Sequence, residues 1–142
     1  MNEKIHAHMR REDGYKFEIT FDELPGQKIV SDESKPIGNN EGVTAAMMLA
    51  GAAGHCLSSS LLFCLEKSRV TAKDLSTDVE MTLERNERGR WRVNEIKVNL
   101  KPTVDIVDAE KLERCKGIFQ DFCIVSASIR DGIKIDVEVE KT

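Results

Sequence analysis

TAAMMLAGAAGHCLSSSLLFCLEK, running from Thr44 to Lys67, is the stretch whose reading decides the fold. From Gly42 to Leu65 it carries no Asp, Glu, Lys or Arg. That length is enough to cross a bilayer. Thr44, His55, Ser58, Ser59, Ser60 and three glycines dilute it, however, so the expectation is a long helix buried on all sides in a protein core. Thr44 supplies the start, because its hydroxyl can accept a first-turn N–H, and the helix is expected to run to about Ser68. The cluster AGAAG, Ala50–Gly54, has little side-chain volume, so another backbone can approach closely there.

Working outward, Lys4–Met9, Tyr15–Phe21 and Gln27–Ser31 read as short strands punctuated by the turns Asp13-Gly14 and Pro25-Gly26. The polar stretch Asp32–Gly42 reads as a surface loop. After the helix, Thr77–Glu84 alternates Val79, Met81 and Leu83 inward, and the turn NERGR leads to a second alternating run, Trp91–Leu100. The phase of that run slips between Val93 and Ile96, which predicts a bulge in a hairpin. Asp108 then caps a second helix striped by Leu112, Cys115, Phe119 and Phe122, and Ile133–Val139 (IKIDVEV) reads as a terminal strand. The order strands, long helix, hairpin, helix, strand predicts an α+β fold with antiparallel sheet. At 142 residues, with no repeat or long linker, a single domain spanning 1–142 is expected.

Net charge is −4 and the sequence pI is about 5.5, which argues against nucleic acid or an anionic membrane as main partner. The N-terminal MNEKIHAHMRRED has no apolar core of a secretory signal, so a cytoplasmic location with reduced thiols is expected for Cys56, Cys64, Cys115 and Cys123. No structural disulfide framework is therefore anticipated. The spacing holds no C-x-x-C pair, and His6 and His8 read as a surface pair on one strand face, so no metal site is expected.

The thiols carry the chemistry. Eight residues along a helix is about 80° round and roughly 12 Å along, so Cys56 cannot bond to Cys64. A partner for Cys56 must come from far away in sequence, which leaves Cys115 or Cys123. Cys64 and Cys115 read as small core hydrophobes, whereas Cys123 closes the second helix. His55 cannot act as base for Cys56, since adjacent helical residues point about 100° apart. Ser58 stands where a nucleophile elbow needs glycine, so a Cys–His hydrolase is not supported.

Two segments together, TAAMMLAGAAGHCLSSSLL and FCIVSASIRDGIKIDVEV, resemble the OsmC/Ohr superfamily of thiol-dependent hydroperoxide reductases. The first is similar to that family's long central helix with its first reactive cysteine. The second is similar to its second cysteine, a serine three residues later and a closing strand. The separation of 67 positions from Cys56 to Cys123 is filled by a hairpin and a helix, as the family requires. The resemblance implies antiparallel sheet wrapped around two central helices in an intertwined homodimer. It implies a peroxidatic Cys56 that attacks an organic hydroperoxide, and a resolving Cys123 that condenses with the resulting sulfenic acid. A dithiol or lipoyl-type reductant would restore both thiols, with no bound cofactor.

A pocket built from Leu49, Ala53, Leu57 and the second helix would favour an apolar peroxide but disfavour a thiolate, so the site needs a cation. The turn RREDG resembles the family's arginine-bearing turn, with Arg11 the leading candidate, Arg10 the alternate and Lys35 a weaker one. Active relatives hold that arginine with a glutamate ten residues before the cysteine. Here Ala46 stands in that place, Met47 is its neighbour and Glu41 is the nearest acid before the helix, while Ile124 replaces the proline that follows the second cysteine. These departures define a divergent branch. The alternative function is a non-catalytic dimeric protein of the same fold that binds an apolar small molecule.

Overall fold

The computed structural model describes residues 2–142, arranged as two compact units, one up to Leu49 and one from Ala50 onward. In the first, strands β1 (Ala7–Asp13), β2 (Lys16–Phe21) and β3 (Lys28–Ser31) form an antiparallel sheet in the order β1-β2-β3. The first strand starts three residues later than the sequence suggested. Every residue of β1 is exposed, while Ile19 on β2 is buried. The loop after β3 is organised by the buried Asp32 carboxylate, which accepts N–H bonds from Glu33 at 2.8 Å and from Asn39 and Glu41 at 3.1 Å. Helix α1 (Ala45–Lys67) begins in this unit, capped as expected by Thr44, whose Oγ1 accepts the Met47 N–H at 3.1 Å.

In the second unit the rest of α1 packs beside a long hairpin, β4 (Asp74–Arg85) and β5 (Trp91–Thr103). The small-residue cluster has its partner here. A Cβ built on Gly54 would lie 2.7 Å from Val79 Cγ2, and the Ser58 hydroxyl bridges the Gly54 carbonyl (2.7 Å) and the Thr77 hydroxyl (2.6 Å). The expected bulge is present. Thr82 pairs with Glu95 and Leu83 with Val93, leaving Asn94 as the extra residue.

Beyond the hairpin come α2 (Ala109–Ile118), a 3-10 turn at Phe119–Phe122, and α3 (Ile124–Asp131). The core gathers Leu57, Leu61, Leu65, Val70 and Phe119, with Leu75, Val98, Leu100 and Leu112 packed against it. The architecture is therefore α+β with antiparallel sheets, as the periodicities predicted, but with three helices rather than two.

Three expectations are corrected. Cys64 and Cys115 are joined by a disulfide, Cα–Cα 5.8 Å, and are not reduced core thiols. Composition argued for reduction, but α1 and α2 pack with these two side chains facing each other. The bond closes a span of 51 residues, which by chain entropy stabilises the fold by about 4 kcal/mol. The run Ile133–Val139 is not a strand here. Its alternation is strand-like, but no neighbour among the described residues satisfies its backbone, and Ile133, Ile135, Val137 and Val139 are all exposed. Finally, α1 is long and apolar enough to cross a membrane by composition. Leu57, Leu61 and Leu65 are nevertheless buried in protein, and its burial is one-sided, with Leu62 and Phe63 exposed.

Candidate thiol redox site

Cys56 sits in the middle of α1 and is half-buried. Cys123 is completely buried at the junction between the 3-10 turn and α3, where it serves as the N-cap and its sulfur accepts the Ser126 N–H at 3.4 Å. The first turn of α3 reaches across the chain as well, because the Val125 N–H points at Cys56 Sγ, 3.5 Å away. Two cysteines 67 residues apart are thus neighbours under one helix N-terminus, and both are free thiols. Each perturbs the other's ionisation. The partner left open by spacing is Cys123, since Cys115 is bonded to Cys64.

The electrostatics are asymmetric. Burial first, and then hydrogen bonding with the Cys123 thiol, push Cys56 above the ordinary cysteine value, against the pull of the Val125 and Ile124 N–H groups. For Cys123 burial is again the largest influence and pushes upward. The Cys56 thiol and the Ser126 and Val125 N–H groups together outweigh it, leaving Cys123 below the ordinary value. The surroundings therefore favour the charged form of Cys123 over that of Cys56, in a pair that titrates together. Reactivity at the more accessible Cys56 requires a positive group to reverse that order.

A cavity of about 420 Å³, large enough for a medium-sized apolar molecule, is lined not by the two cysteines themselves but by their neighbours Leu57 and Ser126 among others. Two of the three expected α1 residues, Ala53 and Leu57, line it, with Val98, Leu100 and Phe119 completing an apolar floor. The second helix was expected to close it. Phe119 and Gln120, within the span expected of that helix, do line it, but from a 3-10 turn, and α3 and the bulged end of β5 complete the closure. Arg130 lines the polar side and donates from Nη2 to Gln120 Oε1 at 2.7 Å. Ser126 lines it too, with a buried hydroxyl that lacks any partner in hydrogen-bond geometry among the described residues.

Arg11 belongs to the N-terminal unit, on β1, where its Nε donates to the Gly14 carbonyl at 2.8 Å. Glu41, the acid nearest in sequence to the missing glutamate, pairs with Lys16 at 3.3 Å instead of an arginine. His8 pairs with Asp22 at 2.9 Å, His6 lies 3.6 Å from Glu23, and His55 is exposed on α1. Among the described residues, no group of three His, Cys, Asp or Glu side chains is placed to hold a metal.

Sequence reasoning missed α3, Arg130 and Gln120. One signal for α3 was available, a cysteine followed three residues later by serine, with Gly132 stopping the run at φ +82°.

Against known proteins, the family model described as OsmC-like protein matches residues 38–138. No functionally curated protein matches the sequence significantly. Among solved structures, an OsmC-like protein of unknown function from Vibrio cholerae aligns with TM-score 0.74 at 17% identity, covering 90% of this chain and 94% of that one. An organic hydroperoxide resistance protein OsmC from Legionella pneumophila aligns with TM-score 0.64 at 14% identity, covering 92% and 90%. The organic hydroperoxide resistance protein OhrB of Bacillus subtilis gives TM-score 0.55 at 18% identity, covering 90% of each chain.

Proposed function

We propose that this chain, which belongs to the OsmC-like protein family, is a thiol-dependent peroxidase that reduces organic hydroperoxides to alcohols. The observation that carries this reading is the pair of free thiols, Cys56 and Cys123, held together at the start of α3, with their neighbours Leu57 and Ser126 lining a cavity with an apolar floor. That some structural neighbours are named organic hydroperoxide resistance proteins agrees with it.

In the proposed cycle the Cys56 thiolate attacks one oxygen of R–O–O–H. The O–O bond breaks, the alkoxide leaves and takes a proton as R–OH, and Cys56 becomes a sulfenic acid. The Cys123 sulfur then attacks the Cys56 sulfur, expelling hydroxide that leaves as water, and a Cys56–Cys123 disulfide forms. A dithiol of the lipoyl class reduces it by exchange, taking up the disulfide itself. Arg11 is the proposed cation that moves the resting charge to Cys56. The apolar floor favours a carbon-rich peroxide over hydrated hydrogen peroxide. We place the protein in the cytoplasm, where a dithiol reductant is available, as a homodimer.

Oxidising the pure protein with cumene hydroperoxide and mapping disulfides by mass spectrometry tests the cycle. A Cys56–Cys123 linkage is expected to appear with one equivalent of peroxide, and Cys56→Ser is expected to abolish peroxide loss. No such linkage, together with unchanged consumption in the variant, removes the proposal.

Ala46, standing where active relatives carry glutamate, favours a second reading, a non-catalytic receptor for an apolar small molecule. Its signature is lipid or alkyl compounds co-purifying with a protein whose thiols react with peroxide no faster than free cysteine.

A further inference from the structure

The four cysteines form two rungs between the same two stretches of chain. Cys64 follows Cys56 by eight residues on α1, and Cys123 follows Cys115 by eight residues on the returning segment. The returning segment runs the opposite way, so Cys56 meets Cys123 and Cys64 meets Cys115. All four lie in or against one apolar cluster. Along α1 the rungs are separated by roughly 12 Å, too far for direct exchange between them. Their exposure differs too. Cys56 is half-buried, whereas Cys115 is 1% and Cys64 6% exposed, so a reductant reaches the second pair only if α1 and α2 separate.

We propose that the Cys64–Cys115 disulfide is a standing clamp, separate from the turning-over pair, whose oxidation state sets how well Cys123 is presented to Cys56. The clamp fastens α2 to α1 one step before the 3-10 turn that carries Cys123, making Cys64 and Cys115 positioning residues. It forms once, by exchange: two thiols react with a small-molecule disulfide R–S–S–R, giving the Cys64–Cys115 bond and two R–SH. A dithiol reductant reverses it, electron for electron, when the helix pair opens. With the clamp open, attack by Cys56 on peroxide continues. Resolution by Cys123 slows, and the lingering sulfenic acid is oxidised by a second peroxide to sulfinic acid. This consequence rests on the peroxidase reading above, whereas the clamp itself does not.

Two experiments separate these layers. First, protein alkylated before any reductant is added, then denatured and mapped, is expected to yield a linked Cys64–Cys115 peptide with Cys56 and Cys123 alkylated. Four alkylated cysteines would overturn the clamp. On a separate, unalkylated native sample of the wild type, mild dithiol treatment is expected to reduce a peroxide-formed Cys56–Cys123 bond at least tenfold faster than the clamp, and equal rates overturn the separation. Second, Cys64→Ala/Cys115→Ala, with Cys64→Val/Cys115→Ala as a better-filled version, is treated with cumene hydroperoxide and dimedone. Sulfenic acid formation is expected within twofold of wild type, with Cys56–Cys123 formation about tenfold slower and sulfinic acid at Cys56 rising accordingly. Unchanged resolution in either folded variant overturns the positioning role. If Cys56 of the wild type is inert to hydroperoxide, the peroxidase reading fails while the peptide map still decides the clamp.

Discussion

Cys56 and Cys123 differ in what surrounds them more than in what they are. Both lie under the N–H groups of α3's first turn, yet burial and the neighbouring thiol raise Cys56 while Cys123 is lowered. A cation beside Cys56 favours its charged form and so lowers the pH at which it becomes a nucleophile. If Arg11 is that cation, Arg11→Ala moves the pH–rate profile of Cys56 towards peroxide to higher pH. Each unit of movement costs about tenfold in rate near neutrality. Stopped-flow rates between pH 6 and 10 measure this, with Arg10→Ala as the comparison, and superimposable profiles for Arg11→Ala and wild type exclude Arg11. At this scale the sequence named the two thiols through family resemblance. It could not name Arg130 or Gln120, because nothing in their spacing marks a cavity wall. Nor did it expose the Cys64–Cys115 bond, because periodicity reports which face a residue lies on, not which side chain sits opposite. The doubled eight-residue spacing was the one available clue.

Among the elements, α1 and the hairpin were the most readable. Thr44 capped α1 as its hydroxyl predicted, and the slipped alternation after Val93 became the Asn94 bulge. The AGAAG cluster makes a sharper test, because two of its glycines should respond in opposite directions. Gly51 has nothing within 4 Å of an added Cβ, so Gly51→Ala is expected to stabilise by about 0.5–1 kcal/mol through helix propensity. Gly54 meets Val79 Cγ2 at 2.7 Å, and valine is stiff at χ1, so the strand must move. Overpacking of roughly 1–3 kcal/mol then outweighs the propensity gain, and Gly54→Ala is expected to be destabilising. Urea titrations of both variants check the signs, and a stabilised Gly54→Ala would show that β4 does not press on α1. Helix α3 escaped the sequence reading because eight residues hold barely two turns, too few to establish a period.

For the molecule as a whole, the informative surfaces are the uncovered ones. Ile133, Ile135, Val137 and Val139 are between 63% and 94% exposed, and Leu62 and Phe63 on α1 are about half exposed. An alternating apolar run with unpaired backbone is a ready edge for another strand. We propose that a second copy of this chain takes up the C-terminal run, which accounts for a strand pattern that has no partner among the described residues of one chain. Light scattering is expected to give twice 16.0 kDa for the full chain and a single mass after truncation at Gly132. A full-length monomer at micromolar concentration defeats this assembly. The α+β class was legible because periods of two and 3.6 survive in any context. The state of the C-terminal run was not, since alternation encodes an appetite for pairing without saying which chain satisfies it.

The extra residue in β5 has an evolutionary consequence. Val93, Asn94, Glu95 and Ile96 all border the cavity, although consecutive residues of a regular strand face opposite ways. The bulge breaks that alternation at this rim, so that consecutive side chains there can share a face, while Val98 and Leu100 of the floor lie beyond it in regular pairing. Loss or gain of a single codon at Asn94 would swap which rim side chains look inward and leave the floor untouched. Under the proposed function, the preference for one peroxide's carbon chain over another's would then change in one genetic step, with Cys56 and Cys123 left where they are.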